Sequence, residues 1–172
     1  YFDSARSNGT LEYYVATSDA RESSHLEIHA GWNNLKFRPI LIEDDEFKYL
    51  DGSTTTSTGM AAASNVFYHV SIDFECGTGR YANLSADKYT LRINNQTLAT
   101  NASFYSACDD VDLLRLRMEH DSTNYKNYYD AFGFSWDGNY TMGENVNVTS
   151  STHQWSTYEI GDNLVAPEPQ LN

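Results

Sequence analysis

Val66-Phe67-Tyr68-His69-Val70-Ser71-Ile72-Asp73-Phe74-Glu75-Cys76 alternates apolar and polar side chains with a period of two. Val66, Tyr68, Val70, Ile72, Phe74 and Cys76 point one way; Phe67, His69, Ser71, Asp73 and Glu75 point the other. A pleated chain turns successive side chains to opposite faces, so this stretch reads as a long strand with one buried face. The same period recurs on both sides of it. Leu26, Ile28 and Ala30 alternate with His25, Glu27 and His29, and Leu114, Leu116 and Met118 with Arg115, Arg117 and Glu119. Further strands are expected at 11–17, 35–43, 46–50, 89–94, 96–100 and 128–136. No segment carries an apolar stripe at helical spacing. Residues 58–64, with three consecutive alanines, fit one helical turn or a small-residue loop.

Turn signals separate the strands: Asn33-Asn34, Asp51-Gly52, Gly77-Thr78-Gly79 and Asn94-Asn95. Residues 91–98 read as a compact hairpin, because asparagine tolerates the positive φ that a tight turn requires. About nine short strands with one-sided burial imply an all-β fold, a two-sheet antiparallel β-sandwich of jelly-roll form. The chain divides into a domain at 1–148 and a C-terminal extension at 149–172, which opens on Thr149-Ser-Ser-Thr152 and ends near Pro167 and Pro169. A near-repeat spans that boundary. Tyr140-Thr-Met-Gly-Glu-Asn-Val146 returns as Tyr158-Glu-Ile-Gly-Asp-Asn-Leu164, with Trp136 and Trp155 before the two copies.

The 172 residues are enough for one domain with its own core. Acidic residues number 24 against 11 lysines and arginines, a net charge of −13. Phosphate backbones repel such a chain, and no basic stripe offsets this, which argues against nucleic acid as a partner. No apolar run approaches the roughly 18 residues of a membrane helix. Tyr1-Phe2-Asp3-Ser4 lacks the charged start and apolar run of a signal peptide, so an exported chain would be a mature form or an internal piece. Aromatics at 14 % exclude a disordered polymer. The composition reads as soluble, folded and extracellular.

Six Asn-x-Ser/Thr sites start at Asn8, Asn83, Asn95, Asn101, Asn139 and Asn147. Two readings stand: turn chemistry in a chain rich in Asn, Ser and Thr, or N-linked glycans, which require a surface position. Cys76 and Cys108 have no metal-motif spacing. They read as one disulfide, closing a loop that stabilises by about 3–4 kcal/mol in the chain-entropy model, or as two buried thiols.

Residues 65–76, followed by Tyr89-Thr-Leu-Arg-Ile-Asn-Asn-Gln-Thr-Leu98, resemble the centre of a concanavalin A-like, LamG-type jelly roll. Tyr128-Tyr-Asp-Ala-Phe-Gly-Phe-Ser-Trp-Asp-Gly-Asn-Tyr140 resembles its closing strand and is similar to modules of archaeal cell-surface proteins. The resemblance spans about residues 10–147. It implies the fold but no single function, since this fold hosts lectins, adhesion modules and hydrolases. Members usually begin with one more strand before the equivalent of Leu11, so one sheet edge is expected to lie open to another strand.

Laminarinases on this fold carry Glu-x-Asp-x-x-Glu, and that motif is absent here. No nucleophile elbow or phosphate loop occurs, so no catalytic residue is assigned and the chain is expected not to be an enzyme. Glu43-Asp44-Asp45-Glu46 reads as a solvated hairpin turn, with calcium as the alternative occupant there and at Asp109-Asp110 with Asp112. Ca2+ and N-linked glycans are the only non-protein components the residues suggest; the metal ligands stay unknown. His25 and His29 stand about 13 Å apart along a strand, too far to share a metal, and are expected to face solvent, as is His69.

Tyr14, Phe67, Tyr129 and Trp155 are out of phase with the inward residues or lie in the tail, where they would stack on sugar rings or pack against protein. Trp155, Tyr158, Ile160 and Leu164 make 153–165 a segment able to dock on a strand edge. The first reading is therefore a non-catalytic extracellular glycoprotein, a structural or adhesive subunit of a cell-surface filament or layer that assembles by strand-edge pairing and aromatic burial. A lectin-like module that binds polysaccharide is the alternative, and a glycoside hydrolase or lyase the third.

Overall fold

The computed structural model describes residues 1–77, 79–119 and 124–143. Among these residues ten strands form: β1 Asn8–Thr17, β2 Ser23–His29, β3 Leu35–Glu43, β4 Glu46–Asp51, β5 Thr54–Ala61, β6 Tyr68–Glu75, β7 Lys88–Ile93, β8 Gln96–Ser103, β9 Leu113–Glu119 and β10 Asn127–Phe134. They build two five-stranded sheets, ordered β10-β1-β6-β7-β8 and β5-β4-β3-β2-β9. Every pairing is antiparallel. The expected β-sandwich is what forms.

The alternation at 68–76 sets the first sheet. Tyr68, Val70, Ile72, Phe74 and Cys76 enter the core between the sheets. Val66, expected on the same side, precedes the strand and is exposed. From the second sheet Leu26, Ile28, Phe37, Ile40, Ile42 and Phe47 meet them. Phe37 is the hub: its ring lies 4.2 Å from Phe104, 5.2 Å from Tyr89 and 5.8 Å from Phe74. Each such pair contributes about 0.5–1.5 kcal/mol beyond area burial.

The turns follow local chemistry. Asn94 and Asn95, at φ 49° and 65°, make the expected two-residue hairpin between β7 and β8. Asp44 and Asp45, at φ 57° and 60°, do the same between β3 and β4, so the acidic run is a hairpin turn. Residues 58–64 are neither helical turn nor simple loop. Thr54–Ala61 is an edge strand paired to β4. It is largely exposed and polar on both faces, so it carries no alternation to read.

Candidate functional site

The polar face of the second sheet gathers charge around one carboxylate. In β2, Leu26 and Ile28 enter the core and turn His25, Glu27 and His29 to the other face. Register with β9 sets His25 opposite Arg117 and Glu27 opposite Arg115. On the other side β3 slips register between Leu26↔Ile40 and Ile28↔Phe37. Pro39 sits in this bulge, where its missing N–H costs no ladder bond. Phe37 and Ile40 thereby both reach the core, and Arg38 turns to the polar face.

Arg38 donates to Glu27 Oε1 at 2.6 Å, and His29 Nε2 lies 3.0 Å from Oε2. His25 Nε2 is 3.4 Å from Oε1, with Arg117 at 3.7 Å and Arg115 at 3.9 Å. Glu27 is 2 % exposed. Burial alone would raise its pKa, but His25, His29 and Arg38 outweigh burial and hold the carboxyl well below the usual carboxylate range. Trp32, in the turn after β2, stays 63 % exposed. The Arg115 guanidinium lies 4.8 Å from its ring centroid and donates to its backbone carbonyl.

One expectation fails here. His25 and His29 are buried rather than solvated: β3 and β9 flank β2 and aim Arg38, Arg115 and Arg117 at the Glu27 carboxylate between the two rings. Although too far apart along the backbone to share a metal, both side chains converge on the Glu27 carboxylate. The signal lay in pairing: a glutamate between two histidines is unremarkable until register sets Arg115 and Arg117 beside it.

The polar face of the first sheet is closed instead. Glu12 Oε1 accepts from the Tyr140 hydroxyl and, at 2.7 Å, from the Gly143 N–H. His69 is buried 3.4 Å from Glu12 Oε2, not solvated as expected. Asp73 accepts from Thr10 at 2.7 Å and from Arg92 at 2.6 Å, and Tyr81 reaches Thr10 at 2.7 Å. Tyr140 lies flat over Gly133, where any Cβ would strike its ring.

The proposed stacking residues separate. Tyr14 stays on the polar face, half-buried with its ring 5.1 Å from His69. Phe67 precedes β6 and packs 6.5 Å from Tyr128. Tyr129 points inward, stacked against Phe132 and 6.2 Å from Tyr13. A bulge around Ala131, at φ 53°, puts Tyr129 and Phe132 on one side and breaks the alternation of that strand.

Asn83, Asn95, Asn101 and Asn139 are exposed and Asn8 is half-buried, so the five described sequons are accessible. Asn147 lies outside the described residues, as do Trp155, Tyr158, Ile160, Leu164 and the 148/149 boundary. Cys76 and Cys108 are free thiols, not the expected disulfide. They touch, nevertheless: the Cys108 hydrogen bond, with burial, pushes the Cys76 pKa up, while Cys76 lowers that of Cys108. Of the acidic run, Glu43 and Asp44 bind Lys48 at 3.2 and 2.5 Å, and Glu46 accepts from Ser57 and from the Gly59 N–H. Among the described residues no group of three His, Cys, Asp or Glu side chains converges as metal ligands. No helix there is long and apolar enough to cross a membrane.

A seam runs along one side of the sandwich. Among the described residues β9 and β10 are the outermost strands of their sheets, β9 beside β2 and β10 beside β1. Phe2 spans them at one end, its N–H donating to the Asp112 carbonyl and its ring 5.7 Å from Phe134. Between these edges Leu114, Leu116, Met118, Tyr129, Phe132 and Phe134 are only half-buried. On the far side Phe47, Leu50, Ala99 and Ala102 are buried.

No protein-family model and no curated protein matches the chain. Solved structures do. A sialidase aligns over 76 % of this chain at 11 % identity and a TM-score of 0.60; the match spans only 13 % of the sialidase. The alginate lyase Aly36B aligns over 76 % of this chain and 70 % of its own, at 16 % identity and a TM-score of 0.51. At these identities the likeness is one of fold, a β-sandwich of jelly-roll type.

Proposed function

We propose that the chain is a non-catalytic extracellular structural or adhesive subunit that joins copies of itself by filling the seam between β9 and β10. The supporting observation is that seam: six half-buried apolar side chains between β9 and β10, which are the outermost strands of their sheets among the described residues. A further strand there would gain main-chain hydrogen bonds and roughly 25 cal/mol for each Å² of apolar surface covered. The occupant is residues 153–165 of a neighbouring copy, with Trp155, Tyr158, Ile160 and Leu164 as the buried side chains. Glycans at the six sequons and the acidic surface keep the outside soluble. Sedimentation of the full chain against one lacking 153–172 tests this. The full chain should sediment as oligomers and the shortened chain as a folded monomer; a shortened chain that assembles equally well overturns the proposal.

A second reading, glycan binding, is favoured by the exposed Trp32 ring beside Arg115, itself one of three arginines around Glu27, and by neighbours whose names are those of glycan-active enzymes, a sialidase and an alginate lyase. Its platform is the polar face of the second sheet, not Tyr14, Phe67 and Tyr129. Titration against polysaccharides tests it, and the absence of any saturable binding would remove it.

A further inference from the structure

We infer that the polar face of the second sheet binds a polysaccharide bearing carboxylate groups, with Arg115, Arg117 and Trp32 as the contact residues. The inference rests on the glycan-binding reading and adds the chemistry of the ligand. Its first support is charge. The protein carries −13 overall, yet Arg38, Arg115 and Arg117 crowd within 4 Å of the single Glu27 carboxylate. Glu27 holds Arg38 by a direct hydrogen bond at 2.6 Å, and the other two stand farther off, at 3.7 and 3.9 Å. Arg117 shares its second nitrogen with Glu119, and both of those side chains are more than 40 % exposed. An exposed pair of this kind contributes little and exchanges readily with another carboxylate. The two β9 guanidiniums are thus held in place from behind by Glu27 with donors left for a planar, bidentate acceptor, the geometry that arginine matches best.

The second support is apolar. Trp32 is exposed beside Arg115 and offers a flat ring against which a sugar can pack next to the charge. The third is the distribution of glycan acceptors. Asn8 lies in β1, Asn83 between β6 and β7, Asn95 in the β7–β8 turn, Asn101 in β8 and Asn139 after β10. All five described sequons therefore sit on elements of the first sheet, and β2, β3, β4, β5 and β9 carry none. Glycans attached at these sites leave the arginine face uncovered.

Calorimetric titration in about 0.15 M salt, where screening confines charge effects to about 8 Å, tests the inference with three polymers: polygalacturonate, dextran sulfate and neutral dextran. The expected result is saturable binding of polygalacturonate, no binding of dextran, and about tenfold weaker binding for Arg117→Gln and for Trp32→Ala, each with an unchanged melting temperature. Equal binding of dextran would overturn the carboxylate inference and leave the glycan reading standing. Preference for dextran sulfate would overturn the choice of carboxylate. No binding to any of the three would overturn both. Variants that change sedimentation but not titration would show the face to be a contact between copies, which also overturns it.

Discussion

Replacing Glu27 by Gln keeps the shape of the side chain and removes the charge that His25, His29, Arg38, Arg115 and Arg117 face. Taking one partner from a buried ion pair costs about 3–5 kcal/mol, because the other charge is left uncompensated. Here the stranded cations are not sealed: Arg38 is 18 % exposed, Arg115 24 % and Arg117 46 %, so each can recover water. The expected loss is therefore smaller, about 2–3 kcal/mol at neutral pH. Its pH dependence has a definite sign. The folded-state pKa of Glu27 is depressed, so its contribution is whole above the unfolded value near 4.5 and is lost as pH falls toward the folded value. Urea denaturation of both proteins at pH 7, 5, 4 and 3 measures this. The gap between them should hold from pH 7 to 5 and narrow at pH 4 and 3. A gap below about 0.5 kcal/mol at pH 7, the scale of an ordinary surface substitution, or one that does not change with pH, would refute the electrostatic reasoning.

Three other outcomes are expected. Oxidation should join Cys76 to Cys108, removing two hydrogens by mass and raising stability by about 3–4 kcal/mol on the loop-closure argument; thermal melts with and without reductant give the difference. Gly133→Ala should push the Tyr140 ring off β1 and break its bond to Glu12, costing about 1–3 kcal/mol by overpacking. Hydrogen exchange should then quicken at Gly143, whose N–H now binds Glu12. Asn95→Val should cost about 1–2 kcal/mol in chemical denaturation, since residue 95 holds φ 65°, while Asn95→Gly should be neutral or better.

The sandwich was legible wherever one face is buried and the other wet, as at 68–76, 25–30 and 113–119. It was illegible where that contrast fails. Thr54–Ala61 is exposed on both faces, so its strand shows only in its pairing with β4. Around Ala131 a bulge inserts one residue, and Tyr129 moves from the outer face to the inner. The site was harder still. Histidine and glutamate alternating in β2 look like a solvated face, and only the neighbours supplied by β3 and β9 make that face a charged cluster. The register slip at Pro39 that aims Arg38 at Glu27 depends on strand pairing, which period-two reading does not contain.

Electron microscopy of the purified full chain, beside Leu116→Lys, tests assembly through the seam most directly. Leu116 is half-buried in the seam between β9 and β10, and a lysine there can keep its stem on the core and its charge in water. The full chain should form filaments or sheets, and the variant dispersed, still cooperatively melting particles. Dispersed particles from both, or indistinguishable assemblies from both, would contradict it.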